Sequence, residues 1–183
     1  MKIENIPFEM SYTFDEKLHE KPVSLAQMKQ GITFLKTNLA HFAHSNISYA
    51  KQCGLIGVYE RIVGNLSESK AYLREAIERY EESQHTQGIF INKLRLAHVY
   101  HWEKDFEKAN EIFTELFHML QQNDLTHYED FLYQHYGKSK LDEGDPNTAL
   151  TYFQKALQIR VEKGNEELIH STELCIQYCF SHL

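Results

Sequence analysis

The sequence predicts an all-α fold built from stacked antiparallel helical hairpins. Three observations support this prediction. A helical segment recurs three times, starting at Gly64, Lys104 and Gly144, which are 40 residues apart. Apolar residues in each copy keep the three-, four- and seven-residue spacing of one helix face. A second helical segment precedes each copy, and a short turn containing glycine or aspartate separates the two.

The second helices of the three copies align without a gap. Their shared apolar positions are Leu66, Phe106 and Pro146; Leu73, Phe113 and Phe153; Ala76, Leu116 and Ala156; and Ile77, Phe117 and Leu157. We expect this stripe to be buried, with Tyr152 beside it. Seven residues before each turn stands a small residue, Gly57, Ala97 or Gly137. Glycine inside a helix costs about 0.5–1 kcal/mol relative to alanine, so these positions predict close approach of a neighbouring helix.

These features together resemble tetratricopeptide repeats. The third copy matches best, with Gly137, Gly144-Asp145, Ala149, Phe153 and Ala156. The similarity covers about residues 49–160. The 40-residue spacing exceeds the usual 34, and it resembles the longer repeats of bacterial peptide-sensing regulators and of kinesin light chains. The resemblance implies a right-handed α-α superhelix, a TPR-like solenoid, whose first helices line a concave groove.

We expect one helical domain over residues 1–183. Two of the three prolines precede the first helical pattern, so the beginning of the chain is predicted to be irregular. A helix starts after Ser24, where Gln27 completes the spacing of a capping box. The predicted segments are an N-terminal arm (1–23), a capping or degenerate helix (24–48), three repeats (49–86, 87–126 and 127–164) and a C-terminal capping helix (165–183).

Composition excludes several classes of function. The chain has 19 basic and 26 acidic residues and a net charge of -7, which argues against nucleic-acid binding. No apolar run approaches the roughly 20 residues that a membrane span needs. The N-terminus has no secretory pattern, and three cysteines form no paired framework, so we expect a cytoplasmic protein with free thiols.

Neither a catalytic residue nor a cofactor is predicted. His98 and His101, like His41 and His44, have the i, i+3 spacing that could present two imidazoles to a metal. A zinc site needs at least three protein ligands, however, and no HExxH or Cys-x-x-Cys motif is present. Phosphate-binding loops and nucleophile elbows are also missing from the sequence. A metal-dependent enzyme using His98 and His101 is therefore retained only as a third hypothesis.

The resemblance implies a binding groove that carries cations, imidazoles and the single tryptophan. The candidate binding residues are Arg61, Leu94, His98, His101, Trp102, Gln134 and Lys138. Arg61 and Lys138 would meet a carboxylate, and Trp102 would supply an apolar anchor. The lysine and asparagine pattern with which some family members clamp chaperone tails is not present. The alternative is that these residues only cover a packed superhelix.

The first functional hypothesis is a non-catalytic adaptor or regulator that binds a protein or peptide segment. The alternative is a structural or assembly protein that self-associates through its repeat ends, for example as a homodimer. The sequence does not identify the partner, because groove chemistry varies freely over one scaffold.

Overall fold

The computed structural model describes residues 5–15 and 18–181. Over these residues the protein has an all-α repeat fold, preceded by one small β-hairpin. The strands are β1 (Tyr12–Phe14) and β2 (Glu20–Pro22). The helices are α1 (Leu25–Asn38), α2 (Asn46–Ile62), α3 (Leu66–Glu82), α4 (Thr86–Trp102), α5 (Phe106–Gln122), α6 (Glu129–Glu143), α7 (Pro146–Lys163) and α8 (Glu166–Phe180).

The chain divides into two compact units, Met1–Val99 and Tyr100–Leu183. In the first unit, α2 packs against both α1 and α3. In the second unit, α6 packs against α7, and α8 packs against α7. Phe113 and Phe153 of the predicted apolar stripe are fully buried, whereas Phe106, Phe117 and Tyr152 are half-buried.

The predicted close approach is confirmed at Gly57 and Gly137. A Cβ atom built on Gly57 would lie 2.6 Å from Leu73 Cγ, and one on Gly137 would lie 2.7 Å from Phe153 Cε1. Both distances are shorter than carbon atoms tolerate. The missing side chains therefore let a large apolar residue of the second helix pack directly on the first helix.

The turns within the hairpins have left-handed backbone. The φ angles are 86° at Gly64, 61° at Lys104 and 93° at Gly144. Asp105 and Asp145 follow two of these residues and cap α5 and α7, each accepting a hydrogen bond from the backbone N–H three residues on, at 3.3 and 3.0 Å. In these two turns the left-handed residue follows the end of one helix, and the aspartate after it caps the start of the next.

Replacing Lys104 with glycine is expected to raise the free energy of unfolding by about 1 kcal/mol. A residue with a Cβ atom loses about 1–2 kcal/mol in left-handed backbone, and the greater unfolded-state entropy of glycine offsets part of that gain. Urea unfolding followed by circular dichroism measures the change. Lys104→Ala is the matched control and should leave stability unaltered, because alanine keeps the Cβ atom. Equal stability of the Lys104→Gly variant and the native chain would contradict the prediction.

The described part of the predicted N-terminal arm is ordered and packs on the helices. Ile6 and Met10 are buried in a core cluster with residues of α1 and α2, and β1 pairs with β2 in antiparallel register. The backbone N–H of Glu9 donates to Gln27 Oε1 at 2.9 Å. Each strand has only three residues, and β1 is exposed throughout, so no alternating pattern marks the hairpin in the sequence. Residues 1–4 and 16–17 of the arm lie outside the described residues.

The start of α1 is capped as the sequence predicts, but the capping box is only half formed. Ser24 Oγ accepts a hydrogen bond from the Gln27 backbone N–H at 3.4 Å. The Gln27 side chain does not complete the box, because it accepts the N–H of Glu9. Helix α2 begins at Asn46, three residues before the predicted first repeat.

The C-terminal helix follows the predicted pattern. Asn165 caps α8 through the Leu168 backbone N–H at 3.1 Å. Cys175 and Cys179 lie on its buried face. Residues 182–183 of the predicted capping helix lie outside the described residues.

Candidate binding site on the first helices

The seven candidate binding residues lie on α2, α4 and α6, the first helices of the three hairpins. Except for Trp102, which is partly buried, all of them are more than nine-tenths buried. The first unit contains Arg61, Leu94 and His98; the second contains His101, Trp102, Gln134 and Lys138.

Arg61 already holds a carboxylate, and the carboxylate belongs to the same chain. Its Nη1 and Nη2 atoms donate to the two carboxylate oxygens of Glu20, each at 2.9 Å. Both side chains are almost completely buried. Such a bidentate pair combines charge attraction with fixed geometry. Strand β2 therefore places on α2 the chemical group that the sequence predicts for a bound partner.

His98 lies at the same carboxylate. Its Nε2 atom is 4.0 Å from Glu20 Oε2, which is too long for a hydrogen bond and short enough for a charge interaction when the imidazole is protonated. Leu94 lies one helical turn before His98 on α4. It is buried and belongs to the hydrophobic core of the first unit.

His101 contacts a different carboxylate from the one near His98. Its Nε2 atom lies 2.6 Å from Asp142 Oδ2, and the ring is almost completely buried. The imidazole ring also lies 6.3 Å from the ring of Phe106, between centroids. His98 and His101 therefore contact two different carboxylates.

Gln134 and Lys138 lie on α6 beside Cys175 of α8. Gln134 Nε2 donates to Cys175 Sγ at 3.1 Å, and its Oε1 has no hydrogen-bond partner among the described residues. Burial raises the pKa of the Cys175 thiol, although the charge of Lys138 opposes that shift. The two candidate residues thus take part in the contact between α6 and α8.

Three residues of the first unit were missed by sequence reasoning. Glu20 was assigned to the irregular arm, and Asn92 and Arg95 of α4 were not singled out. Arg95 Nη1 donates to Asn92 Oδ1 at 3.2 Å. The sequence signal that could have indicated Asn92 and Arg95 was Gly54, a glycine inside a helix that has no role in the repeat pattern. A Cβ atom there would lie 2.3 Å from Asn92 Oδ1 and 2.8 Å from Arg95 Nη1.

The three cysteines are buried free thiols. Burial raises the pKa of Cys53 to about 12 and that of Cys179 to about 11. A thiol without a low pKa and without solvent access is a poor nucleophile. The cysteines therefore behave as packing residues.

We expect Ellman's reagent at pH 8 to modify none of the three thiols rapidly in the folded chain and all three in guanidinium chloride. Only the thiolate reacts, and folding holds the protons on the buried sulfurs. The same shifts should lower the free energy of unfolding as the pH rises from about 9 towards 12, because unfolded cysteines ionise first. Fast modification of the folded chain would contradict this account.

Comparison with known proteins agrees with this helical architecture. The tetratricopeptide repeat family model matches residues 132–160, which cover most of the third repeat. The chain therefore contains a tetratricopeptide repeat and has a TPR-like repeat fold. No curated protein matches the sequence. Among the described residues, no helix has the length and hydropathy needed to cross a membrane.

Two solved structures resemble the fold. BtubC (BKLC) from P. vanneervenii has a TM-score of 0.68 and 14% identity, covering 85% of this chain and 66% of its own. The nearly identical TPR-like repeats of a candidate kinesin light chain from Podosopora anserina have a TM-score of 0.62 and 11% identity, covering 86% and 79%. This chain thus spans slightly less than two thirds of BtubC. Similarity to bacterial peptide-sensing regulators stays a prediction from the sequence.

Proposed function

We propose that this protein is a non-catalytic interaction module that binds a peptide or protein segment through its first helices. The observation that carries the proposal is the Arg61–Glu20 pair, in which α2 holds a carboxylate presented by an extended strand. A surface that accepts one extended segment of its own chain has the chemistry to accept another. Partly buried Trp102 in the second unit has the properties of an apolar anchor.

The proposal includes an adaptor or regulatory role in the cytoplasm. Buried free thiols support this location, because a reducing compartment keeps cysteines unpaired. Repeat proteins of this architecture commonly act by presenting a pre-organised surface rather than by chemistry.

A random dodecapeptide library displayed on phage and selected on the immobilised full-length chain tests this function. We expect selected peptides, labelled with fluorescein, to bind with a measurable Kd in fluorescence polarisation. Trp102→Ala should weaken binding at least tenfold, as expected for a hot-spot residue. Val161→Ala is the control, because Val161 is exposed on second helix α7. Failure to enrich any peptide, or equal binding by both variants, would count against the proposal.

Self-association is a second candidate function, favoured by the terminal helix α8. Leu174 and Phe180 on this helix are 39% and 63% exposed, although both are large apolar residues. Such residues can form part of a contact with a second copy. Sedimentation velocity over a hundredfold range of concentration should then show a dimer that dissociates on dilution. A monomer at every concentration removes this candidate.

A further inference from the structure

Arg95 in the first unit is a guanidinium that has no carboxylate partner among the described residues. Among the described residues, its one hydrogen bond goes to the neutral amide oxygen of Asn92, and no carboxylate oxygen lies within 4.0 Å. Burial lowers the pKa of Arg95, and the charge of Arg61 lowers it further. The tyrosines Tyr59 and Tyr80 partly oppose these effects. Arg95 therefore carries a desolvated positive charge, which is costly unless an anion compensates it.

The charges of the described residues around Arg95 do not balance. Arg61, which is close enough to repel it, is fully engaged by both oxygens of Glu20. Among the described residues, the Glu20 carboxylate is therefore bound by Arg61 and does not pair with Arg95. The remaining positive charge is centred on Arg95, whose other N–H groups make no hydrogen bond to the described residues.

The neighbouring residues hold the Arg95 side chain in a defined position. Asn92 Nδ2 donates to the Gly88 carbonyl at 2.8 Å, which orients its Oδ1 atom towards Arg95. Gly54 on α2 leaves the space that these two side chains occupy, because a Cβ atom there would overlap both. As a whole residue, Arg95 is partly exposed. A pre-oriented guanidinium loses little further entropy when it binds an anion.

We propose that Arg95, oriented by Asn92, receives a carboxylate of the bound peptide, next to the carboxylate that Glu20 supplies to Arg61. This inference rests on the proposed function and specifies its ligand as a segment with an acidic side chain. Guanidinium and carboxylate match in charge and in bidentate geometry. The ligand would supply Arg95 with the carboxylate that the described residues of the first unit do not place beside it.

The test uses an array of decapeptides, each synthesised with glutamate and again with glutamine at the varied position. We expect the full-length chain to bind members with glutamate at least tenfold more tightly than their glutamine partners. Arg95→Met should abolish this difference. It should also raise the Tm of the free protein by about 2–4 °C, because it removes a desolvated charge and keeps the apolar stem. A purely structural arginine would not show both effects.

Arg79→Met is the matched control. Arg79 lies in the same unit but already contacts Glu75 and Glu82, so its loss should leave the preference for glutamate intact. Equal binding of glutamate and glutamine peptides, or an unchanged preference in Arg95→Met, would overturn the inference and leave the proposed function standing. A lower Tm in Arg95→Met would also overturn it. Failure of the whole array to bind would overturn both.

Discussion

Asp130→Ala is expected to lower the free energy of unfolding by about 3–5 kcal/mol, since removing one partner of a buried ion pair leaves the other charge uncompensated. Asp130 Oδ2 accepts a hydrogen bond from Arg160 Nε at 3.0 Å, and both side chains are buried. Arg160 Nη1 also donates to Thr172 Oγ1 at 2.7 Å and to the Leu168 carbonyl at 3.2 Å. One guanidinium thus joins α6, α7 and α8.

Urea unfolding followed by circular dichroism measures this effect. Lys163→Met is the control, because Lys163 contacts the same carboxylate but is 36% exposed. Its loss should cost less than the loss of Asp130, because Arg160 still neutralises the Asp130 carboxylate. The double variant Asp130→Leu with Arg160→Met should recover much of the stability, since it removes both charges together. An Asp130→Ala variant as stable as the native chain would show that the pair does not hold these helices together.

Glu20→Ala is expected to cost about 3–5 kcal/mol for the same physical reason. It would leave Arg61 buried without its carboxylate, close to the positive charge of Arg95. The N-terminal hairpin should lose its anchor on α2, so that backbone amides of β1 and β2 exchange with deuterium faster. Combining Glu20→Ala with Arg61→Met should restore part of the stability, and the coupling energy of this double-mutant cycle measures the pair.

Lys21→Ala provides a control in the same strand. Lys21 is 65% exposed and lies 3.5 Å from Asp15, a surface pair that contributes little. We expect its stability to stay within about 0.5 kcal/mol of the native value. If Glu20→Ala behaves like Lys21→Ala, the buried pair does not secure the hairpin.

The helical part of the fold was predictable because its signals are local. Apolar spacing identifies a helix, and the small residues at Gly57 and Gly137 predict where two helices touch. These predictions are confirmed by the contacts with Leu73 and Phe153. The β-hairpin could not be predicted, because its strands are three residues long and mostly exposed.

The candidate site was less predictable than the fold. Family resemblance indicated which residues belong to the first helices, but not which side chains are covered. Six of the seven candidates are buried, and the carboxylates near Arg61 and His101 come from positions about 40 residues away in the chain. The sequence does not distinguish Arg95 from any other helical arginine; only the structure shows that no carboxylate of the described residues pairs with it.

The sequence by itself determined the helices, the turns and the small residues between helices, because each depends on residues within a few turns of one another. Only the tertiary structure decided how charges are paired. The environment of a buried charge depends on which distant segment supplies its counter-charge, and no local pattern encodes that choice. Glu20 therefore neutralises Arg61, whereas Arg95 donates to the neutral amide of Asn92. From this difference we infer an acidic ligand.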